Sequence, residues 1–197
     1  MPDLSLIAIA AAVAAGSTWA RQRGLATLEA RGAALAETLG LQAEPTTRTV
    51  SLFRAVRLPW TGAIDGADVR LSIHQWRAGG WAFVLDCAGP GGDAPLLAWF
   101  SRRWIELGLP GEPTPIPSHP SWGVIGDAAA RARVDAADLG PALDRLAADA
   151  WHVRLAPAHL QLVLPLSVDD ARVLAGAADL VAARALVAGL AAGQTEA

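Results

Sequence analysis

Lysine, tyrosine and asparagine are absent from the 197 residues, and there is one cysteine and one methionine. Each absence closes a route. Without lysine no Schiff base forms and no ammonium cradles a phosphate, and without tyrosine no phenol serves as acid or base. A single cysteine, Cys87, excludes an internal disulfide and any cysteine-based metal cluster. All 16 basic residues are arginine, a bias that a GC-rich genome accounts for, because Lys, Asn and Tyr have AT-rich codons. No GxSxG elbow, GxxxxGK(S/T) loop, HExxH or CxxC occurs. The four histidines lie scattered from His74 to His159 without zinc-ligand spacing. Net charge is −3 with pI ≈ 5.8, and no basic block suggests a nucleic-acid footprint. The expectation is no cofactor, no metal and no nucleic-acid partner.

Hydrophobic residues make up 53% and charged ones 18%, enough for one buried core with an appendage. The appendage is N-terminal. "LSLIAIAAAVAAGSTWA", Leu4 to Ala20, runs 17 residues without a charge and is followed by "RQR". About 17 residues is the lower limit for a spanning helix. Trp19 stands where an interfacial aromatic would, and Arg21 and Arg23 stand on the headgroup side. The positive-inside rule then puts the rest of the chain in the cytoplasm. The alternatives are a soluble packed helix and a cleaved signal peptide, the latter disfavoured by the lack of Lys or Arg before the run. Residues 1–22 are thus the apolar segment and candidate anchor, 23–47 a helix and linker, and 48–197 the folded domain. Leu25, Leu28, Leu35 and Leu39 give the helix its stripe, and Gly40 ends it.

Two-residue alternation dominates the next stretch. Val50, Leu52, Val56 and Leu58 suggest a strand that Pro59 closes. Val69, Leu71 and Ile73 alternate with Asp68, Arg70, Ser72 and His74, and Trp81, Phe83, Leu85 and Cys87 alternate after "RAGG". "IDGA" reads as a turn, with Asp65 bonding its own backbone and Gly66 taking positive φ. His74 falls on the polar face, and Cys87 reads as a small buried hydrophobe. "PLLAWFSRRWIELG" fits helix or strand, with strand favoured by Trp, Phe and Ile.

"GLPGEPTPIPSHPSWGVIGD" carries five prolines and four glycines and reads as an irregular loop. Loops of this length are uncommon unless functional, so His119, Trp122 and Asp127 are the first residues to inspect. "RARVDA" reads as a short strand. Asp138 is a helix cap, with Leu139, Leu143, Leu146 and Ala150 on the inner face through about residue 150. "HVRL" and "HLQLVLPL" read as strands that place His152 and His159 on neighbours, near enough to approach one another. A C-terminal helix opens at Ser167 and Asp170 in the manner of a capping box. Its expected stripe is Leu174, Ala178, Val181, Ala185 and Ala188. Arg184 in its middle argues against a second membrane span.

The fold expected is α+β: an antiparallel meander of six or seven strands, a helix inserted near 138–150, and a long C-terminal helix packed on the sheet. "LAETLGL", "GAIDGADVRL" and "GDAAARARV", in that order, resemble uncharacterised proteins of high-GC bacteria. Those have an N-terminal apolar segment, a LAxxLGL helix, a GxxDGxxV strand start and a GD element. The resemblance covers the chain from Leu35 onward and implies architecture, with no activity attached.

Three functions are open. The first is a membrane-tethered, cytoplasmic-side interaction or scaffold domain without catalysis, binding an unidentified protein partner; the eight tryptophans fit binding hot spots as well as core. The second is a module for an apolar or anionic small molecule or lipid, with Arg102 and Arg103 as headgroup contacts. The third is a hydrolase using Asp65 or Asp127 with His119.

Overall fold

Alternation between residues 57 and 88 produces three long strands, and these seed one antiparallel sheet. The computed structural model describes residues 23–44, 57–75, 81–91, 96–100, 113–126, 128–137 and 139–192. Helix α1 (residues 23–38) leads to β1 (Gln42–Ala43), β2 (Arg57–Ile64), β3 (Ala67–Gln75) and β4 (Trp81–Ala88). Next come β5 (Leu96–Phe100), β6 (Thr114–Ile116), β7 (His119–Ile125), α2 (Ala128–Ala136) and α3 (Gly140–Ala147). β8 (His152–Leu155), β9 (His159–Pro165) and α4 (Asp170–Ala192) complete the described chain. The sheet order is β1-β2-β3-β4-β9-β8-β5-β7-β6, and every pairing is antiparallel. The α+β class is as expected. The meander is interrupted by the late β8–β9 hairpin, which inserts between β4 and β5, and nine strands lie among the described residues.

β2 and β3 are joined by Asp65 and Gly66, both at positive φ (49° and 75°). That is the backbone of a tight two-residue hairpin, for which Asp-Gly is a preferred pair. The expected turn is there, but β2 does not stop at Pro59; it runs on through "WTGAI". Pro59 survives because its missing N–H faces the outer side of β2, where its carbonyl accepts from Glu44 (3.2 Å), and not β3. Residues 49–56, expected as strand, lie outside the described ones.

The helices share one face, here called inner. Leu58, Trp60, Val69, Leu71, Ile73, Phe83, Leu85, Cys87, Val153, Leu155, Leu160, Leu162 and Leu164 form the sheet side of a single core. Each fully buried large aliphatic contributes roughly 1.5–3 kcal/mol. α1 lies so near the sheet that a Cβ at Gly32 would overlap the Trp60 ring, which would have to move to admit one. Arg31 then binds α1 to the start of α4. Its Nε donates to Asp170 Oδ1 (2.7 Å), its Nη1 to the Leu166 carbonyl (2.7 Å) and its Nη2 to the Val168 carbonyl, with the guanidinium 4.8 Å from the Phe83 ring centre. Arg172 donates to carbonyls at the end of α3, Arg145, Leu146 and Ala148, satisfying groups that a helix C-terminus leaves open.

Several local expectations change. "RARVDA" belongs to α2, not to a strand. The proline-rich stretch is not an irregular loop from 113 on: Thr114–Ile116 and His119–Ile125 pair as a hairpin. α3 lies within the expected span, but its N-cap is Leu139 without a side-chain bond, and Pro141 occupies its first turn; Asp138 is outside the described residues. The cap of α4 is Asp169, whose Oδ1 accepts from Arg172 N at 2.7 Å, rather than Ser167. Its buried stripe is Val173, Ala177, Leu180, Ala183, Val187 and Leu190. The expected Ala178 and Ala185 are exposed, in line with Ala171, Ala175, Ala182 and Gly189. So many alanines blur the apolar stripe and turn the sequence reading around the helix axis. α4 is long and apolar enough to cross a membrane by length and composition; its sheet-facing residues lie in the core.

Candidate functional site

The outer face of the sheet carries two neighbouring rows of opposite character. In the first, Ser72, Val84, Val163 and His152 stand side by side on β3, β4, β9 and β8. All four are buried to 1% exposure or less, as is Ala82 beside them. Two residues along each strand, toward the Asp65–Gly66 turn, Arg70, Asp86, Gln161 and Arg154 form the second row. None of these four is fully buried.

An open groove of about 470 Å³ lies at this turn end, lined by Thr61, Asp68, Arg70, Asp86, Ala88 and His159 together with Gly62, Val69 and Cys87. Asp86 is its fixed point. Asp86 Oδ1 is 2.9 Å from His159 Nε2 and accepts from Gln161 Nε2 at 2.8 Å. Burial pushes its carboxyl up. The hydrogen bonds from His159 and Gln161 and the positive fields of His159 and His74 outweigh that and leave it below the usual carboxylate range. Arg70, opposite Asp86 in register, turns away to Glu44 (Nη2 to Oε2, 2.7 Å). A half-exposed pair of that kind adds at most about 1 kcal/mol, so it positions more than it stabilises. The Arg154 side chain, at the far end of the row, makes no hydrogen bond, and its Nε is buried.

Of the side chains nearby that carry nucleophilic atoms, Thr61 lines the groove half-exposed, while Ser72 and Cys87 are closed. Ser72 Oγ is 2.9 Å from His74 Nε2 and 3.5 Å from the Val84 carbonyl. The first contact has the form of a nucleophile and its base, but Ser72 is 1% exposed. Cys87 is equally buried; burial pushes its thiol up, Arg184 opposes this and Asp68 adds to it. The net rise favours the unreactive thiol, in keeping with its expected core role.

The residues singled out from sequence do not converge. Asp65 is a turn residue and His119 starts β7, five strand spacings from β3, which at about 4.8 Å each is on the order of 24 Å. Asp65 and His119 are therefore not assembled as a hydrolytic pair. Trp122 is an inner-face core residue, 1% exposed, with its indole N–H buried and unpaired. His152 and His159 sit at opposite ends of their hairpin: His152 faces Val163, four residues from His159. Arg23, exposed, opens the described part of α1. Trp19, Arg21, Arg102, Arg103 and Asp127 lie outside the described residues. Among the described residues, no group of three or more His, Cys, Asp or Glu side chains is placed to hold a metal ion.

Asp86 and Gln161 were not singled out from sequence. The one available signal was Asp86 as the only charged residue in "WAFVLDCA", a run otherwise apolar on both faces. Its partners depend on strand register, which no local pattern encodes. Comparison with known families, curated proteins and solved structures finds no match for this chain.

Proposed function

We propose that the chain is a non-catalytic binding domain that receives a partner in the outer-face groove and is held at a membrane by residues 4–20. One observation carries the binding reading. Asp86, held by hydrogen bonds to His159 and Gln161, lines an open groove together with His159, while Ser72 and Cys87 are closed to solvent. Polar groups ordered in advance lower the cost of binding. For the tether, the support is the uncharged run before Trp19, and Arg21 and Arg23 favour a cytoplasmic domain. α4 is read as a core helix, because Val173, Ala177, Leu180 and Val187 are fully buried in the sheet's core.

The test is a cross-linked pull-down of the tagged full-length chain from its own cell envelope, comparing wild type with Ala88→Trp. Ala88 is exposed at the groove, so the indole fills the groove without entering the core. The expected result is a chain that stays with alkaline-washed membranes and a cross-linked partner that Ala88→Trp loses. Release of the intact chain by the wash removes the tether. Equal capture by both chains removes the groove.

A further inference from the structure

We infer that the domain stands end-on at a lipid surface, with the β9–α4 connection facing the bilayer and the Asp65–Gly66 turn, together with the groove, farthest from it. The inference rests on the tether proposed above and adds the direction in which the domain points. The course of α1 on the sheet sets that direction. Gly32 lies against Trp60 and Ile73, whereas Gly40 and Leu41 lie against Gly62. Gly62 is nearer the Asp65–Gly66 turn than Trp60 is. α1 therefore runs toward that turn, and its start at Arg23 points away from it. Arg31 gives the same direction independently. Its bonds to the Leu166 and Val168 carbonyls and to Asp170 hold α1 beside the β9–α4 connection. That connection follows Pro165, which pairs with Ala82 at the opposite end of the strands from the turn.

Chain reach then places the bilayer. Arg23 follows Ala20, the last residue of the uncharged run, by three residues, and an extended chain covers at most about 11 Å in three steps. With residues 4–20 in the membrane, the start of α1 stays within that reach of the headgroups. Trp81, Leu166 and Val168, each partly exposed, stand at the same end, and an aromatic with apolar neighbours suits a headgroup region. The groove lies the other way. From Arg23 to Gly32 the helix rises about 13 Å. From Phe83, level with Ile73, β4 needs roughly another 10–17 Å to reach Asp86 and Ala88. No headgroup of the tethering bilayer enters the groove, so its occupant is a soluble protein arriving from the aqueous side.

The experiment places single cysteines at Ser167, Ala63 and Ala88, all exposed, in a Cys87→Ala background of the full-length chain. Each carries a short-range energy-transfer donor. The chain is reconstituted into phosphatidylcholine–phosphatidylglycerol vesicles with an acceptor on the lipid headgroup. Ala63 and Ala88 each lie five residues beyond the paired level of Leu58, Ile73, Phe83 and Leu164, about 17 Å along the strands. Ser167 lies on the other side of that level. Transfer from Ser167 is therefore expected to exceed that from Ala63 and from Ala88 at least about twofold, with Ala63 and Ala88 alike. Equal transfer from all three positions, or less from Ser167 than from the other two, overturns the inference and leaves the tether standing. Transfer from Ala88 well above that from Ala63 means a headgroup in the groove and also overturns it. No transfer from any position, with the chain in the soluble fraction, removes the tether and the inference with it.

Discussion

The row Ser72–Val84–Val163–His152 and the row Arg70–Asp86–Gln161–Arg154 lie on the same four strands, on the same face, two residues apart. One is closed to solvent and nearly apolar at its centre; the other is charged and reached by water. Trp151 packs against Ala82, Val84 and Val163 of the closed row. A strand can be a two-sided core element at one end and present a polar, water-reached face at the other. β4 combines the two, with Val84 in the first row and Asp86 in the second.

Substitutions in and around the two rows can break this contrast. Phe83→Ala, on the inner face of β4, is expected to cost about 3–5 kcal/mol in chemical denaturation, as large-to-small core changes do. Val84→Asp, on the opposite face, is expected to cost at least about 3 kcal/mol, because it buries a charge without a partner. A small cost at Val84 would mean that the first row is not a core. Asp86→Asn removes a contribution that is present at neutral pH, and with it a part of the pH dependence. The folded carboxyl of Asp86 lies below its unfolded value of 3.8. Its contribution is therefore full above that value and is lost as pH falls through the folded one. Wild type should lose more stability than Asp86→Asn in acid titrations from about pH 5 to pH 2. Asp68→Ala, in the exposed groove wall, should change stability by less than about 0.5 kcal/mol.

How far this contrast could be read from sequence depends on what each residue needs to be seen with. The inner face was legible, because Leu71, Ile73, Phe83 and Leu85 alternate with period two and alternation needs no partner. The Asp65–Gly66 turn was legible for the same reason: its backbone demand is local. β2 was cut short because Pro59 is a strand breaker everywhere except where its missing N–H points away from the neighbouring strand. α2 was read as a strand because Arg and Val alternate in "RARVDA", while the alanines before it favour helix. Burial of the first row was written in Ala82, Val84 and Val163, apolar residues at positions that alternation assigns to solvent. Near-continuous apolar runs mark strands buried on both faces, and "WAFVLDCA" is one. The groove was the least legible part. Asp86, Gln161 and Arg70 come together only through the pairing of β3, β4 and β9, and β9 lies more than 70 residues along the chain from β4.

The most direct test of the contrast is maleimide labelling of single cysteines in a Cys87→Ala background. Cysteines placed at Asp68 and Ala88 should label at close to the rate of the unfolded chain, and those at Val84 and Val163 at least about 100-fold more slowly, since reaction there waits for opening of the fold. Equal rates at all four positions would contradict the division of the outer face into a closed row and an open groove.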